Sequence, residues 1–442
     1  MRSRKGAWAW FLEKEWRELL ASRSWWILLA VIGPLVGFSF ISAVQTYAEA
    51  SGLNGTSAGV GEAFSPLIGV WAPTFSACEL AAVFLLPFVG IRVVAAARQS
   101  GALKLELQQR LPTLALIAAK AAVLGAGWGV ASLAPLVAVV LWRIYGGTIF
   151  PPELVSVALG HFLNAGLTIG LAASMAALAE HPSTAAILTL SVTVSTWIVN
   201  FVAAVNGGWW ERAAAYTPAA LVAEFQHGLV RLAAVIVALV LTASGLVLAA
   251  IWLRLGVSVR RRTWESLALG AVSAATVVAA TSVTPSWDLS ENRANSLPKA
   301  DEAALRQIVG PLRIVAHLAP EDPRRFDLER RVLKKLRRVM PALEVQYVSA
   351  TSIGLFEQTN PHYGEIWYEL GGRRAMSRIT TAEGVLEVIY ELAGIPPPAE
   401  SDDAAFRGHP LAAPPRGAAW VFYVIWPAVV IGCGLLAHRR RS

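Results

Sequence analysis

Three ionisable side chains, Glu79, Lys120 and His161, fall inside long apolar runs of this 442-residue chain. Charged groups are costly in hydrocarbon, so residues of this kind turn toward protein or water and are default candidates for function. Glu79 is the one carboxylate deep in such a run. A single acid makes a thin proton relay, which ranks an ion-coupled carrier behind other readings. His161 and Asn164 stand at i, i+3 and can hydrogen-bond across helices, a packing role before a ligand role. Together Glu79, His161 and Asn164 form a candidate intramembrane polar site. No Ser-His-Asp, Cys-His or paired-carboxylate arrangement can be assembled from spacing, so no catalytic residue is expected. The seven His are scattered, and no metal cluster is expected. Gly-x-x-x-x-Gly-Lys-(Ser/Thr) is absent from the sequence, so the chain has no P-loop to cradle ATP phosphates. Cys78 and Cys433 both lie in apolar runs and suggest no disulfide framework.

The elements that must position these residues are helices of membrane length. The sequence is 55% hydrophobic and only 15% charged, which excludes disorder and argues against a soluble protein. Eight windows can cross a hydrocarbon core: 25–44, 71–94, 114–141, 154–178, 184–205, 229–253, 266–283 and 418–437. The first is too long and too far from the N-terminus for a cleaved signal peptide. Arg2, Arg4, Lys5, Lys14, Arg17 and Arg23 precede it, and the connection 45–66 has no Lys or Arg, so the N-terminus is expected in the cytoplasm. Basic residues recur at alternate connections and at Arg439–Arg441, which puts both termini inside and the long polar segment 285–416 outside. That segment carries 17 basic and 18 acidic residues. The formal charge of +8 therefore comes from the membrane part, and the excess marks cytoplasmic loops rather than a nucleic-acid surface.

Residues 7–21 read as an amphipathic helix in the inner interface. Trp8, Phe11, Leu12, Trp16 and Leu19 recur at helical spacing, with Lys14, Arg17 and Glu18 opposed to them. Gly166, Gly170 and Ser174 give small-xxx-small spacing for close helix approach. The stretch 206–228 is long and aromatic for an outer loop, and a short helix dipping into the interface weighs evenly against a plain aromatic belt. Past residue 285, strand signals at 312–318, 343–348, 365–370 and 375–379 alternate with helices at 325–340 and 381–392. The apolar face of the first helix is expected to be Phe326, Val332, Leu333, Leu336 and Met340. Its Arg and Lys run reads as a solvated face or an anionic-headgroup contact, and no nucleic-acid motif accompanies it. The expected fold is an α-helical polytopic membrane protein with about eight transmembrane helices and a small α/β extracytoplasmic domain between the last two. Its parts are an interfacial helix at 1–23, a six-helix domain at 24–263, a seventh span at 264–284 and the outer domain at 285–395. A Pro/Ala-rich linker at 396–416 and an eighth span with a basic tail at 417–438 complete it.

The connection Arg98-Gln-Ser-Gly101-Ala-Leu103-Lys-Leu105-Glu-Leu107, followed by Lys120, resembles the coupling segment of type 2 ABC exporter permeases. Arg98, Gly101, Leu103 and Lys120 match that pattern, while Ala97 replaces its Glu, Ala102 its Thr, and its Pro is displaced to Pro112. Tyr216-Thr-Pro218 through Gln226-His-Gly228-Leu229 is similar to the family's outer re-entrant segment. Asp288-Leu289-Ser-Glu291-Asn-Arg293-Ala-Asn-Ser296-Leu297, with the turn Gly371-Gly372-Arg373-Arg374, resembles the auxiliary proteins of gliding-motility ABC systems. The resemblance implies a bacterial inner-membrane permease subunit, an exporter or part of an ABC-driven mechanical complex, working as a homodimer or heterodimer. It implies that ATP and Mg are bound by a separate ATPase subunit, with no cofactor in this chain. Arg98, Gly101, Leu103, Leu105, Leu107 and Lys120 would form the ATPase-coupling loop, with Trp8, Phe11, Leu12, Trp16 and Arg17 on the interfacial helix. Other expected partners are membrane lipid and a periplasmic protein or cargo, with no nucleic acid. The alternative is a non-transporting scaffold or sensor whose outer domain binds a ligand.

Overall fold

In the computed structural model the described residues are 7–53, 65–99, 101, 105–106, 108, 112–206, 209–308, 310–319, 322–340, 342–348, 362–398, 406 and 408–439. Eight helices are long and apolar enough to cross a membrane. We label helix α1 (Ala7–Ala21) and then α2 (Arg23–Gly52), α3 (Leu67–Arg92), α4 (Thr113–Ile144), α5 (Pro151–Leu178) and α6 (Pro182–Ala203). A short helix α7 (Pro218–Gln226) precedes α8 (Leu232–Leu253) and α9 (Val259–Ala280), and the eighth apolar helix is α13 (Ala418–Arg439). Two compact units result, one of Met1–Val199, Ala214–Glu291 and Phe406–Ser442, the other of Asn200–Ala213 and Asn292–Ala405.

In the first unit, several hydroxyls in the apolar helices are satisfied inside their own helix. Thr168 donates to the Asn164 carbonyl (3.0 Å), Thr189 to Ala185 (2.8 Å) and Thr242 to Ala238 (2.8 Å), so these hydroxyls carry no unmet donor. Small residues set the helix contacts. A Cβ on Gly170 of α5 would stand 2.8 Å from the Thr242 carbonyl oxygen of α8, and one on Gly245 would stand 2.5 Å from the Gly170 oxygen. The small residues of α5 therefore serve packing within the chain. On α2, Gly33 and Gly37 leave room for the Trp426 and Phe422 rings, and Trp426 Nε1 donates to the Leu29 carbonyl at 2.7 Å. The eighth apolar helix thus packs on the first. The seventh packs on α8, through Ser244 and Ser273 hydroxyls 2.6 Å apart and Trp252 Nε1 donating to Ser266.

Strand β1 (Leu229–Arg231) pairs antiparallel with β2 (Ser286–Asp288), a ribbon without a sequence signal of its own. Helix α7 is capped by Thr217, whose Oγ1 accepts from Ala220 N–H, and its Phe225 fills the space left by Gly160 of α5.

The second unit holds a four-stranded sheet ordered β4-β3-β5-β6, from β3 (Leu312–Ala316), β4 (Leu343–Tyr347), β5 (Ile366–Leu370) and β6 (Arg373–Ser377). Strands β3 and β4 are parallel and joined by the helical stretch α11 (323–339), while β5 and β6 form a hairpin. Helix α10 (Lys299–Leu305) precedes β3. Helix α12 (Ala382–Ala393) is capped by Thr381 at its start and by left-handed Gly394 at its end. Two expectations need correction. The hairpin return begins at Arg373, not 375, because Gly371 and Gly372 both take positive φ and close a two-residue turn that pairs Leu370 with Arg373. Phe326 is 63% exposed rather than on the apolar face of α11. The turn Glu329–Leu333 is π-wound, and its extra residue per turn carries Leu328 inward with Val332, Leu333 and Leu336.

Candidate functional site

Helix α1 buries Phe11, Glu15 and Leu19, an i, i+4, i+8 row facing α4. Phe11 packs with Leu116 and Ala119. One residue beyond Ala119, Lys120 is only 2% exposed and its ammonium lies 2.7 Å from Glu15 Oε1, itself 1% exposed. The connection before α4 adds a second carboxylate. Glu106 is 4% exposed and lies 3.4 Å from Lys120 through Oε2, while its Oε1 accepts from Lys14. Lys14 is also 3.3 Å from Glu15 and 3.1 Å from Glu18. Both ammonium groups lie over the Phe11 ring, at 5.4 and 5.7 Å from its centroid. Burial lowers the Lys14 pKa, but the hydrogen bond to Glu106 and the charges of Glu15, Glu18 and Glu106 outweigh it, and the ammonium is held above the ordinary lysine range.

Charges therefore tie three segments together: helix α1, the connection that begins at Gly101, and α4. Among the other residues of the expected coupling loop, Gly101 has φ +75 with open space where a Cβ would point, and Leu105 is 68% exposed beside buried Glu106. Arg98 is the penultimate residue of its helical segment, Leu86–Gln99, and Leu103 and Leu107 lie outside the described residues. On α1, Phe11 is buried, Leu12 and Trp16 are half-buried, Trp8 is exposed, and Arg17 is exposed and paired with Glu13 at 2.6 Å. Glu15 and Glu106 escaped the sequence reading of the site. Glu15 carried a signal, since it interrupts the apolar row between Phe11 and Leu19 while Lys120 is the lone cation of its apolar run.

The polar residues expected to form one intramembrane site are brought together differently. Glu79 turns to α7, where Gln226 Nε2 donates to its Oε2 at 2.5 Å and to Ser76 Oγ at 3.0 Å. His161 pairs instead with Ser132 Oγ at 3.0 Å and Cys78 Sγ at 3.7 Å. Phe75 and Trp128 flank its ring at 5.7 and 5.1 Å. Asn164 is buried, and its carbonyl accepts from Thr168.

The motif beginning at Asp288 is a run of local fasteners. Asp288 accepts from Ser290 N–H (3.1 Å) and hydroxyl (2.5 Å), and Leu289 N–H donates to the Gly228 carbonyl at 2.8 Å. Glu291 N–H donates to buried Glu153 at 2.9 Å, and its carboxylate meets His409 at 2.9 Å. Tyr47 hydroxyl donates to the His409 carbonyl at 2.7 Å. In the second unit, Arg293 takes φ +50 with its guanidinium 3.7 Å from Glu302, Ser296 N–H donates to the Arg293 carbonyl, and Leu297 enters the core.

Among the described residues, no three His, Cys, Asp or Glu side chains are placed to hold a metal ion. No family model, curated protein or solved structure matches this chain.

Proposed function

We propose that this chain is the membrane-spanning permease subunit of a bacterial ABC transporter or ABC-driven mechanical complex, powered by a separate ATPase. Its outer domain would recruit cargo or a partner. The observation that carries this reading is the buried ion network joining Lys14 and Glu15 of α1, Glu106 of the connection before α4, and Lys120 of α4. A push on the connection after Gly101 passes through Glu106 to Lys120 and Glu15, so the interfacial helix and α4 respond as one body. Packed charges have discrete partners, and such a network can carry a rigid-body displacement between the elements it joins. The sequence resemblance of 98–107 to a coupling segment supports the same reading. Basic residues at alternate connections support cytoplasmic termini in the inner membrane, with 285–416 on the outer side. The functional unit would be a homodimer or heterodimer in which ATP closes the two ATPases and the spans rearrange around a midline path.

Pull-down of the tagged full-length chain from its native membrane tests this. An ATPase is expected to co-purify, and Gly101→Trp is expected to abolish that association, because a side chain at positive φ strains the turn. Absence of any ATPase across nucleotide-free, ATP-bound and vanadate-trapped conditions would overturn the reading.

A further inference from the structure

Glu79 is the thirteenth of the 26 residues of α3, roughly 18 Å along the helix from Leu67 at about 1.5 Å per residue. At that depth a carboxylate needs a partner for each oxygen. Oε2 has one in Gln226, whereas Oε1 is buried with no hydrogen-bond partner among the described residues. No ion pair links Glu79 to a Lys, Arg or His there either. The side chain is nine-tenths buried, yet Ser76, three residues earlier on the same face, is exposed. Ser76 Oγ accepts from Gln226 and keeps a second lone pair. Ile68 and Leu80 continue this face with apolar side chains 48% and 41% exposed.

We propose that Glu79, Ser76 and Gln226 form a lateral binding site for the primary ammonium group of an amphiphile. An ammonium brings a positive charge and three N–H donors. One is directed at the Glu79 carboxylate once that side chain turns its unpaired Oε1 toward Ser76, and another at Ser76 Oγ, which supplies both the missing charge and the missing hydrogen bond. The hydrocarbon tail lies along Ile68 and Leu80, so the ligand enters from the bilayer without crossing water. Binding here does not depend on whether an ATPase drives the chain.

The test uses the full chain in nanodiscs of phosphatidylcholine and phosphatidylglycerol, with radiolabelled dodecylamine as probe. Saturable binding is expected, weakened about ten- to a hundredfold in Glu79→Gln, the range for losing a hydrogen bond to a charged group. Dodecyltrimethylammonium, which keeps the charge but has no N–H donor, and dodecanol, which lacks the charge, should both bind about tenfold or more weakly than dodecylamine. Ser76→Leu, at an exposed position that tolerates a larger side chain, should block the site while thermal unfolding stays as in the parent, and it keeps the test decisive if Glu79→Gln misfolds. Competition when phosphatidylethanolamine is added would assign the native occupant to a lipid headgroup, and lack of competition to a diffusing amphiphile; the dependence on Glu79 and Ser76 supports the site in both cases. Equal binding of dodecylamine by the parent and both variants, or equal binding of the amine and its trimethylated analogue, overturns the proposal.

Discussion

Glu15 and Lys120 are each expensive to bury alone, and each offsets part of the other's cost. Taking one carboxylate or ammonium out of water costs several kcal/mol, which a 2.7 Å contact and further partners offset. Removing one member leaves the other buried and uncompensated. Lys120→Met and Glu15→Gln should therefore each destabilise the chain by about 3–5 kcal/mol. The double variant Glu15→Leu/Lys120→Met should lose much less, because apolar replacement of a buried pair is often neutral and Lys14 still holds Glu106. Thermal unfolding of the four proteins in one detergent gives the comparison, and singles as stable as the double would contradict a coupled pair. The same residues show what a sequence can tell. Lys120 and Phe11 were legible because each departs from or fits its local pattern, but their partnership was not, since periodicity assigns faces and not the element that covers them.

At the scale of elements, α5 and α8 meet where backbones nearly touch. Gly245→Ala would press a methyl carbon to 2.5 Å from the Gly170 carbonyl oxygen, an unyielding backbone atom, so the helices must part. The expected cost is about 1–3 kcal/mol, as for other overpacked positions. Gly270→Ala on α9 is the control, since its Cβ meets nothing within 4 Å and the change should be neutral or stabilising by up to about 1 kcal/mol from helix propensity. Unfolding midpoints of the two variants separate crowding from propensity. The small-residue spacing of α5 could be read directly, as could all eight apolar helices, because uniform apolarity is a strong signal over twenty residues. What could not be read depends on geometry without composition. The π turn at Glu329–Leu333 shifts the buried face of α11 and turns Phe326 out, and the pairing of β1 with β2 joins stretches more than fifty residues apart.

Across the whole molecule, acid should loosen the second unit through Asp322 and Glu365, and alkali the first through Lys14. In the second unit, hydrogen bonding to Arg324 lowers the pKa of Asp322 to about 2, and the His362 and Arg378 side chains hold Glu365 below the usual carboxylate range. A depressed acid stabilises the fold fully above its unfolded pKa, near 4 for Asp, and that contribution fades as pH falls toward the folded value. The first unit carries the reverse case in Lys14. Its pKa is raised by carboxylates, so while these are ionised its contribution is complete below an unfolded value of about 10.4 and fades as pH rises beyond it. Hydrogen-exchange mass spectrometry resolves the two effects, with protection corrected at each pH against unstructured peptides. Peptides from β5 should lose protection between about pH 4 and 2, and Asp322→Asn should flatten that loss because the titrating group is gone. Peptides from α1 should lose protection above about pH 10.4, with Lys14→Arg extending it, since a guanidinium stays charged. If β5 kept its protection down to about pH 2, or α1 kept its protection well above about pH 10.4, the ion pairs named here would not be the groups that set the pH limits of this protein.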